Sequence, residues 1–216
     1  MGVNGTESTN QLARAVERAR MALDPYVEGL SLSNQILEEG TDLTFFEFHS
    51  MELEASSLIS QNFKKASFYD CTFTNCDLTG SDFTSAYFTR CRFIDCKLEG
   101  AILTEAIVRT CRLIGCQCRY LNAGDATFEN VRFEDTDMSE AFLSEVKLKR
   151  SCKFSGCKLV HADLFRTNLR GIDLSTSEIS AIQTSEDRHE LKGAIISLAQ
   201  APEIAMMLGV VIEGME

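Results

Sequence analysis

The chain has 216 residues, enough for one sizeable domain with a real core. Its 21 Lys and Arg against 32 Asp and Glu leave a net charge of −11, which argues against a protein whose main work is gripping phosphate backbones. With 44% apolar residues it is too hydrophobic for a disordered acidic tail, and no apolar run reaches the length of a membrane span.

Residues 1–10 are polar and uncharged except for Glu7, without the basic and apolar regions of a signal peptide. Residues 9–23 place Leu12, Ala15, Val16, Ala19 and Leu23 on one helical stripe, with Arg14, Glu17, Arg18 and Arg20 elsewhere. Thr9 is the expected N-cap, and Asp24-Pro25 the expected stop. The segment 1–31 is therefore read as carrying an amphipathic helix that covers the N-terminal end of the main domain.

That domain is a repeat. Counting from Leu43 in steps of five gives 22 centres without a slip, down to Leu148. One extra residue near Arg150 and Ser151 resets the phase, and the march resumes from Phe154 to Ile179. Leu or Phe fills 23 of these 28 centres, and the position two before each is Ala, Cys, Ser or Thr in 21. A step of five scatters positions around a helix and flips faces on a flat strand. It suits a chain that bends once per pentapeptide, with the centre and the residue two before it facing inward. Four such sides close a square coil of about 20 residues, and a weaker start at Leu32 and Leu37 extends the repeat to 32–181.

Folding at that period explains the unusual composition. Eight of the nine Cys fall at the small inward position, in two columns: Cys71, Cys91, Cys111 and Cys152, then Cys76, Cys96, Cys116 and Cys157. No C-x-x-C occurs, and His49, His161 and His189 lie far apart, so no metal or cofactor is expected and the thiols read as small buried hydrophobes. An odd, high thiol count favours a reducing cytoplasm. Ten of the 14 Phe are centres, which places them in the core and not on an outward ladder for nucleic acid.

After Ile179 the fives stop, and residues 182–216 are different in kind. Pro202 suits the first turn of a short helix, Gly209 its close, and Val210-Val211-Ile212 a short strand. This is more apolar surface than one coil's end requires. Ile204, Met207, Leu208, Val210, Val211 and Ile212 are the expected interface of a head-to-head homodimer, since a two-fold contact closes where stacking in series would make fibres.

The repeat resembles the A-[DN]-L-x-x consensus of the pentapeptide-repeat family, in segments such as Cys76-Asp77-Leu78-Thr79-Gly80, Ser81-Asp82-Phe83 and Ala162-Asp163-Leu164. The resemblance implies an all-β solenoid, a right-handed quadrilateral β-helix, with short helical caps at its two ends. The terminal segment, through Gly193, Gln200-Ala201, Leu208-Gly209 and the 210–212 tail, is similar to Qnr-type quinolone-resistance proteins and their relatives that confer immunity to topoisomerase poisons. That likeness implies dimerisation through the C-terminal segment and a rod that engages DNA gyrase or topoisomerase IV by presenting a duplex-like shape and charge. No projecting loop fits within 41–148, which departs from many Qnr proteins.

Charge tests that implication. About 7.5 coils at about 4.8 Å make a rod of about 36 Å, over which duplex DNA carries about 20 negative charges. The coil, with 20 acids and 16 bases in 41–181, carries −4. Its distribution is more telling: Ser85, Glu105, Asp125 and Glu145 occupy one outward column, with Asp82 on the same side. Glu99, Asp137 and Glu140 lie on the next side, and Arg92, Arg112, Arg132 and Lys153 form a column on the opposite part of the square. The acidic flank is the expected docking strip. With no phosphate-binding Gly loop, no G-x-S-x-G and no His cluster, the expectation is a non-enzymatic binding protein. A scaffold for some other protein partner is the alternative. Neither direct nucleic-acid binding nor a membrane is expected.

Overall fold

The structure, a computed structural model, describes residues 10–214. Backbone N–H groups of each coil donate to carbonyls of its neighbours, as in Asp82 N to Gln61 O at 2.9 Å and Phe83 N to Ile102 O at 2.7 Å. Two sides of the square are regular parallel sheets of seven strands each. The first side runs from Tyr26–Glu28 to Lys147–Lys149, and the second from Ser31–Ser33 to Lys153–Ser155. The third and fourth sides hold together by parallel bridges, Ser57↔Asp77↔Lys97 and Asn62↔Asp82↔Ile102 among them. The fold is a right-handed quadrilateral β-helix, the hand that parallel crossovers take.

The residue two after the centre makes the corner. At every such position from Phe45 to Gly171 it adopts a left-handed backbone whatever its type, with φ of 57° at Ser85, 57° at Arg90, 52° at Asp95 and 62° at Gly100, and Thr176 is the exception. The Asp or Asn before a centre explains itself here. The Asp82 carboxylate accepts from Thr84 N at 2.9 Å and Thr84 Oγ1 at 2.6 Å. The same turn recurs at Asp77, Asn122 and Asp163.

Inside, the Phe columns stack. Phe68 and Phe88 lie 4.7 Å apart at 5°, and Phe73 and Phe93 4.9 Å apart at 6°. Rings of adjacent sides meet edge to face, as Phe88 with Phe93 does at 67°. All nine Cys are free thiols and buried. The S–H groups of Cys71, Cys76, Cys91, Cys96, Cys116, Cys152 and Cys157 point at carbonyls of the coil beneath, Cys96 Sγ to Phe73 O at 3.3 Å, while Cys111 donates to Arg109 O of its own coil. Ser81 and Thr136 use the same position in the same way, donating to Leu58 O and Leu113 O, which is why Cys, Ser and Thr alternate in that column.

The two ends depart in detail from the sequence-based expectation. The first helix, α1 (Gln11–Met21), is capped by Asn10, whose side chain accepts from Ala13 N; Thr9 lies outside the described residues. Leu12, Val16 and Ala19 are buried against the first coil, and Leu12 N donates to Gln35 Oε1 at 3.1 Å. Leu23 does not join this stripe. It sits past the helix end with φ 54° and is 92% exposed, because the chain has already turned away. The parallel ladder starts at Tyr26, ahead of Leu32, and its bridges run on to Gln183 and Ile195.

The extra residue at 150–151 has a structural effect. Lys147–Lys149 and Lys153–Ser155 are the last strands of their sheets. Among the described residues no backbone bond joins them to 168–176, although the third and fourth sides stay bridged through Lys158↔Glu178 and Asp163↔Gln183. The coils splay on two sides only. The last helix, α2 (Ala201–Met207), has Pro202 in its first turn. It closes on Gly209 (φ 79°), with Gly209 N bonded to Met206 O and Val210 N to Ala205 O. Val210-Val211-Ile212 is not a strand: it forms no β-pairing among the described residues.

Burial also sets thiol chemistry. The hydrogen-bonded thiol of the next coil pushes Cys91 and Cys96 up to about 12, and burial raises Cys118 as well. A disulfide-exchange reagent at about pH 8, where an ordinary thiol is partly ionised, should titrate no thiol in the native protein and all nine Cys once it is denatured.

Candidate docking surfaces

The seven carboxylates of the expected acidic flank occupy three different kinds of place. Asp82 and Asp137 are turn residues: Asp137 accepts from Ser139 N at 3.0 Å and Ser139 Oγ at 2.6 Å, and Asp82 also pairs with Lys64 at 3.1 Å. Glu140 and Glu145 are neutralised by cations one coil away, Arg119 at 2.7 Å and Arg166 at 3.2 Å. Glu99, Glu105 and Asp125 remain without a cation among the described residues, and Glu105 accepts a hydrogen bond from Ser85 Oγ at 2.9 Å.

Glu105, Asp125 and Glu145 form a column at the corner between the fourth and first sides, with φ of 59°, 58° and 57°. Lys65 and Arg166 occupy the same corner at its two ends, so the acidic run is three coils long, about 10 Å. The neighbouring surface is less polar than the repeat predicts. Phe45, Tyr120, Phe142 and Phe165 are exposed, and Lys65, Arg119 and Arg166 lie over the rings of Phe45, Tyr120 and Phe165. These aromatics fall off the inward positions, which is the signal that reveals them.

The basic column is as expected in register, Arg92↔Arg112↔Arg132↔Lys153 along the second side. It is not opposite the acidic corner. Only the width of the first side separates the two, because Glu105 and Arg112 are successive outward landmarks around one coil.

At the C-terminal end, Gln200 Nε2 donates to Leu174 O and Ser177 O, and Ala181 N donates to Glu203 Oε1, which clamps α2 to the last coil. Ile204 and Met207 pack against the core, and Ile212 is half-buried. Leu208, Val210 and Val211 are exposed, Val211 by 93%. Ile195, Leu198 and Met206, which the sequence did not single out, are exposed in this segment as well, Leu198 by 90%.

No catalytic constellation is assembled among the described residues. The enclosed spaces inside the coil hold about 10–30 Å³, room for a water at most. The Asp187, His189 and Glu190 side chains come together, but Glu190 is occupied by Arg166 N, Ser185 N and Ser185 Oγ, a structural tie for the polar loop.

Two family models match the repeat: a pentapeptide repeat region over 86–164, and eight copies of pentapeptide repeats over 53–106. Together they span more than half of the chain. It belongs to the pentapeptide-repeat family. No curated protein matches it in sequence at a significant level. Among solved structures it is similar to HetL, a pentapeptide-repeat protein involved in heterocyst differentiation regulation from the cyanobacterium Nostoc sp. strain PCC 7120. Identity there is 19%, coverage 84% of this chain and 95% of that one, and the TM-score 0.38. A trypsin-treated form of QnrB1, a plasmid-mediated fluoroquinolone resistance protein, matches at 13% identity, covering 87% of this chain and 99% of that one, TM-score 0.36. Rfr23, from the cyanobacterium Cyanothece 51142, matches at 12% identity, covering 86% and 99%, TM-score 0.32.

The turn carboxylates make a pH prediction. Hydrogen bonds from Thr44 hold Asp42 below the usual carboxylate range; Asp82 is pushed up by partial burial but held lower still by Thr84 and Lys64. A depressed folded-state value stabilises the fold above the ordinary carboxylate value and is lost as pH falls through it. The melting midpoint should therefore drop below about pH 4, and Asp82→Ala should lose about 1 kcal/mol at neutral pH while showing a smaller acid-induced drop. An unchanged pH profile in the variant would remove Asp82 from that role.

Proposed function

We propose that this protein is a non-enzymatic, dimeric, cytoplasmic rod that binds DNA gyrase or topoisomerase IV and protects it from quinolones or similar poisons. The observation that carries this reading is the in-register corner column Glu105, Asp125 and Glu145 on a straight stack of coils. Outward carboxylates at a fixed rise offer a basic DNA-binding groove a regular row of anions. The resemblance of the C-terminal motif to Qnr-type proteins supports it, as does the exposed Leu208, Val210 and Val211 patch. Such a patch on a clamped cap is the kind of surface that a two-fold contact covers.

A scaffold for an unrelated protein partner is the second reading. It is favoured by the pairing of Glu140 and Glu145 with Arg119 and Arg166, which shortens the acidic strip, and by the exposed Phe142 and Phe165 beside it.

A supercoiling assay separates the two. The protein at micromolar concentration should relieve ciprofloxacin inhibition of gyrase, and Glu105→Lys with Asp125→Lys and Glu145→Lys should abolish the relief while the melting midpoint stays within a few degrees. No effect of the unsubstituted protein on gyrase or topoisomerase IV would leave the scaffold reading standing. For the dimer, Leu208→Asp should sediment as a monomer; a dimer surviving the substitution would move the interface away from α2.

A further inference from the structure

Whole-chain charge set nucleic acid aside, yet one edge of the rod reverses that sign. The lower coils of the edge between the first and second sides carry Glu28, Glu47, Glu52 and Asp70, but from residue 87 upward it comprises 87–92, 107–112, 127–132, 147–153 and 168–173. These segments hold ten Lys and Arg against two carboxylates, Glu129 and Asp173. Elsewhere on the coil a cation faces an acid one coil away, as Lys64 does Asp82 at 3.1 Å and Lys97 does Asp77 at 3.8 Å, and Arg90, at the foot of this stretch, is paired in the same way with Asp70 at 2.6 Å. On this edge cation stacks on cation. Arg92, Arg112, Arg132 and Lys153 are in parallel register, and none has a carboxylate within ion-pair distance among the described residues. Glu129 is already shared between Arg109 at 3.2 Å and Arg150 at 2.8 Å. Like charges stacked at about 4.8 Å repel, and no ion pair among the described residues relieves them.

We propose that this edge binds the phosphate backbone of a nucleic-acid duplex. The four-residue ladder covers three coil steps, about 14 Å, over which one strand of a duplex presents about four phosphates. Identical cations at one spacing fit a partner whose anions also repeat, whereas a protein surface interleaves its charges. Three of the four are Arg, the side chain whose planar fork suits phosphate oxygens. The ladder leads into the splayed step between the coils, a cleft of about 530 Å³ lined by Arg150, Lys153, Asn168, Arg170 and Thr176. There the backbone N–H groups of Leu148 and Phe154 face the gap without a bond to the next coil, so the cleft adds main-chain donors to the cationic edge. The groups facing the ladder from its other flank are Asp95, Glu134 and Asp135, and Glu52 lies two coils below Arg92 in its own column; these set its limit. A single strand suits this stretch less well, since the one outward aromatic in these segments is Tyr87, already under the Arg109 guanidinium at 5.7 Å and against Tyr69 of the coil below at 5.6 Å. The chain's own acidic corner is no match for it either: three carboxylates, one of them paired, against a net of eight positive charges.

Duplex binding at this edge is independent of the topoisomerase reading, and its test uses only this protein and a labelled 20-base-pair DNA of mixed sequence. Anisotropy should show binding that weakens about 100-fold between 50 and 200 mM salt, the slope of about four released counterions. Arg112→Glu with Arg132→Glu should abolish binding, and Arg112→Gln with Arg132→Gln should lower the salt slope by about two. The control Lys65→Glu with Lys158→Glu, which changes net charge equally away from the edge, should bind as the unsubstituted protein does. Equal loss in the control, no binding at 50 mM salt, or tighter binding of the single strand or of poly-glutamate than of the duplex would each overturn the proposal. Should the Glu pair fail to fold, the Gln pair and the control decide.

Discussion

Each coil of this protein has to lie flat on the one beneath it, because nearly all of its backbone bonding runs between coils. Parallel strands spaced about 4.8 Å apart accept no offset without losing that bonding. The chain must therefore return to the same place every 20 residues, turning four equal corners on the way. That constraint forces the corner residue into the left-handed region even where it is Arg90, Thr110 or Tyr120. Such a backbone costs about 1–2 kcal/mol for a residue with a side chain. The cost is offset by the two inter-coil bonds that each side makes, which no other corner geometry would permit.

Residues 20 apart thereby become neighbours, and this converts the repeat into columns. Inward, columns let Phe63 and Phe83 stack at 4.9 Å and 1°. They also let Cys, Ser and Thr share one hydrogen-bonding role toward the coil below. Outward, columns convert a sequence of charges into a surface pattern. Arg119 meets Glu140 and Arg166 meets Glu145 only because the coil brings them together. Many of the coil's acids and bases cancel by this means, which is why a chain of net −11 carries so short an acidic strip.

The inward half of the structure was legible because burial selects residue type: a period of five in Leu and Phe, with small residues two before, admits few other folds. The outward half was legible only as positions. Asp82 and Asp137 looked like surface charge, and they are turn acceptors, a role visible in the Asp-x-Thr and Asp-x-Ser spacing but shared by any solvated loop. Glu140 and Glu145 looked free because each cation lies 21 residues away and not 20. Arg119 reaches Glu140 diagonally from the coil before, and Arg166 falls out of count through the extra residue at 150–151. The splayed step had no local signal at all. It follows from how two coils differing by one residue meet, a property of the stack and not of any segment. At the C-terminal end the apolar surplus was plain. Its division into Ile204 and Met207 facing the core and Leu198 and Met206 facing solvent depends on how Gln200 and Glu203 clamp α2.

The extra residue at 150–151 divides the coil's sides into two that open and two that continue. An offset shared by all four sides would have ended the stack there and left the C-terminal segment with nothing to cap. Because Lys158↔Glu178 and Asp163↔Gln183 still bridge the step, the coil continues on two sides while opening on the other two. The C-terminal segment rests on both kinds of side, on the continuous ones through Ser177 and Ala181 and on the coil past the opening through Leu174 and the Asp173↔Ile195 bridge, and the cationic edge runs out into the open ones. One added residue therefore gives the basic ladder a cleft at its end, while the coil past the cleft stays joined to the stack through two sides and to the C-terminal segment through Asp173↔Ile195.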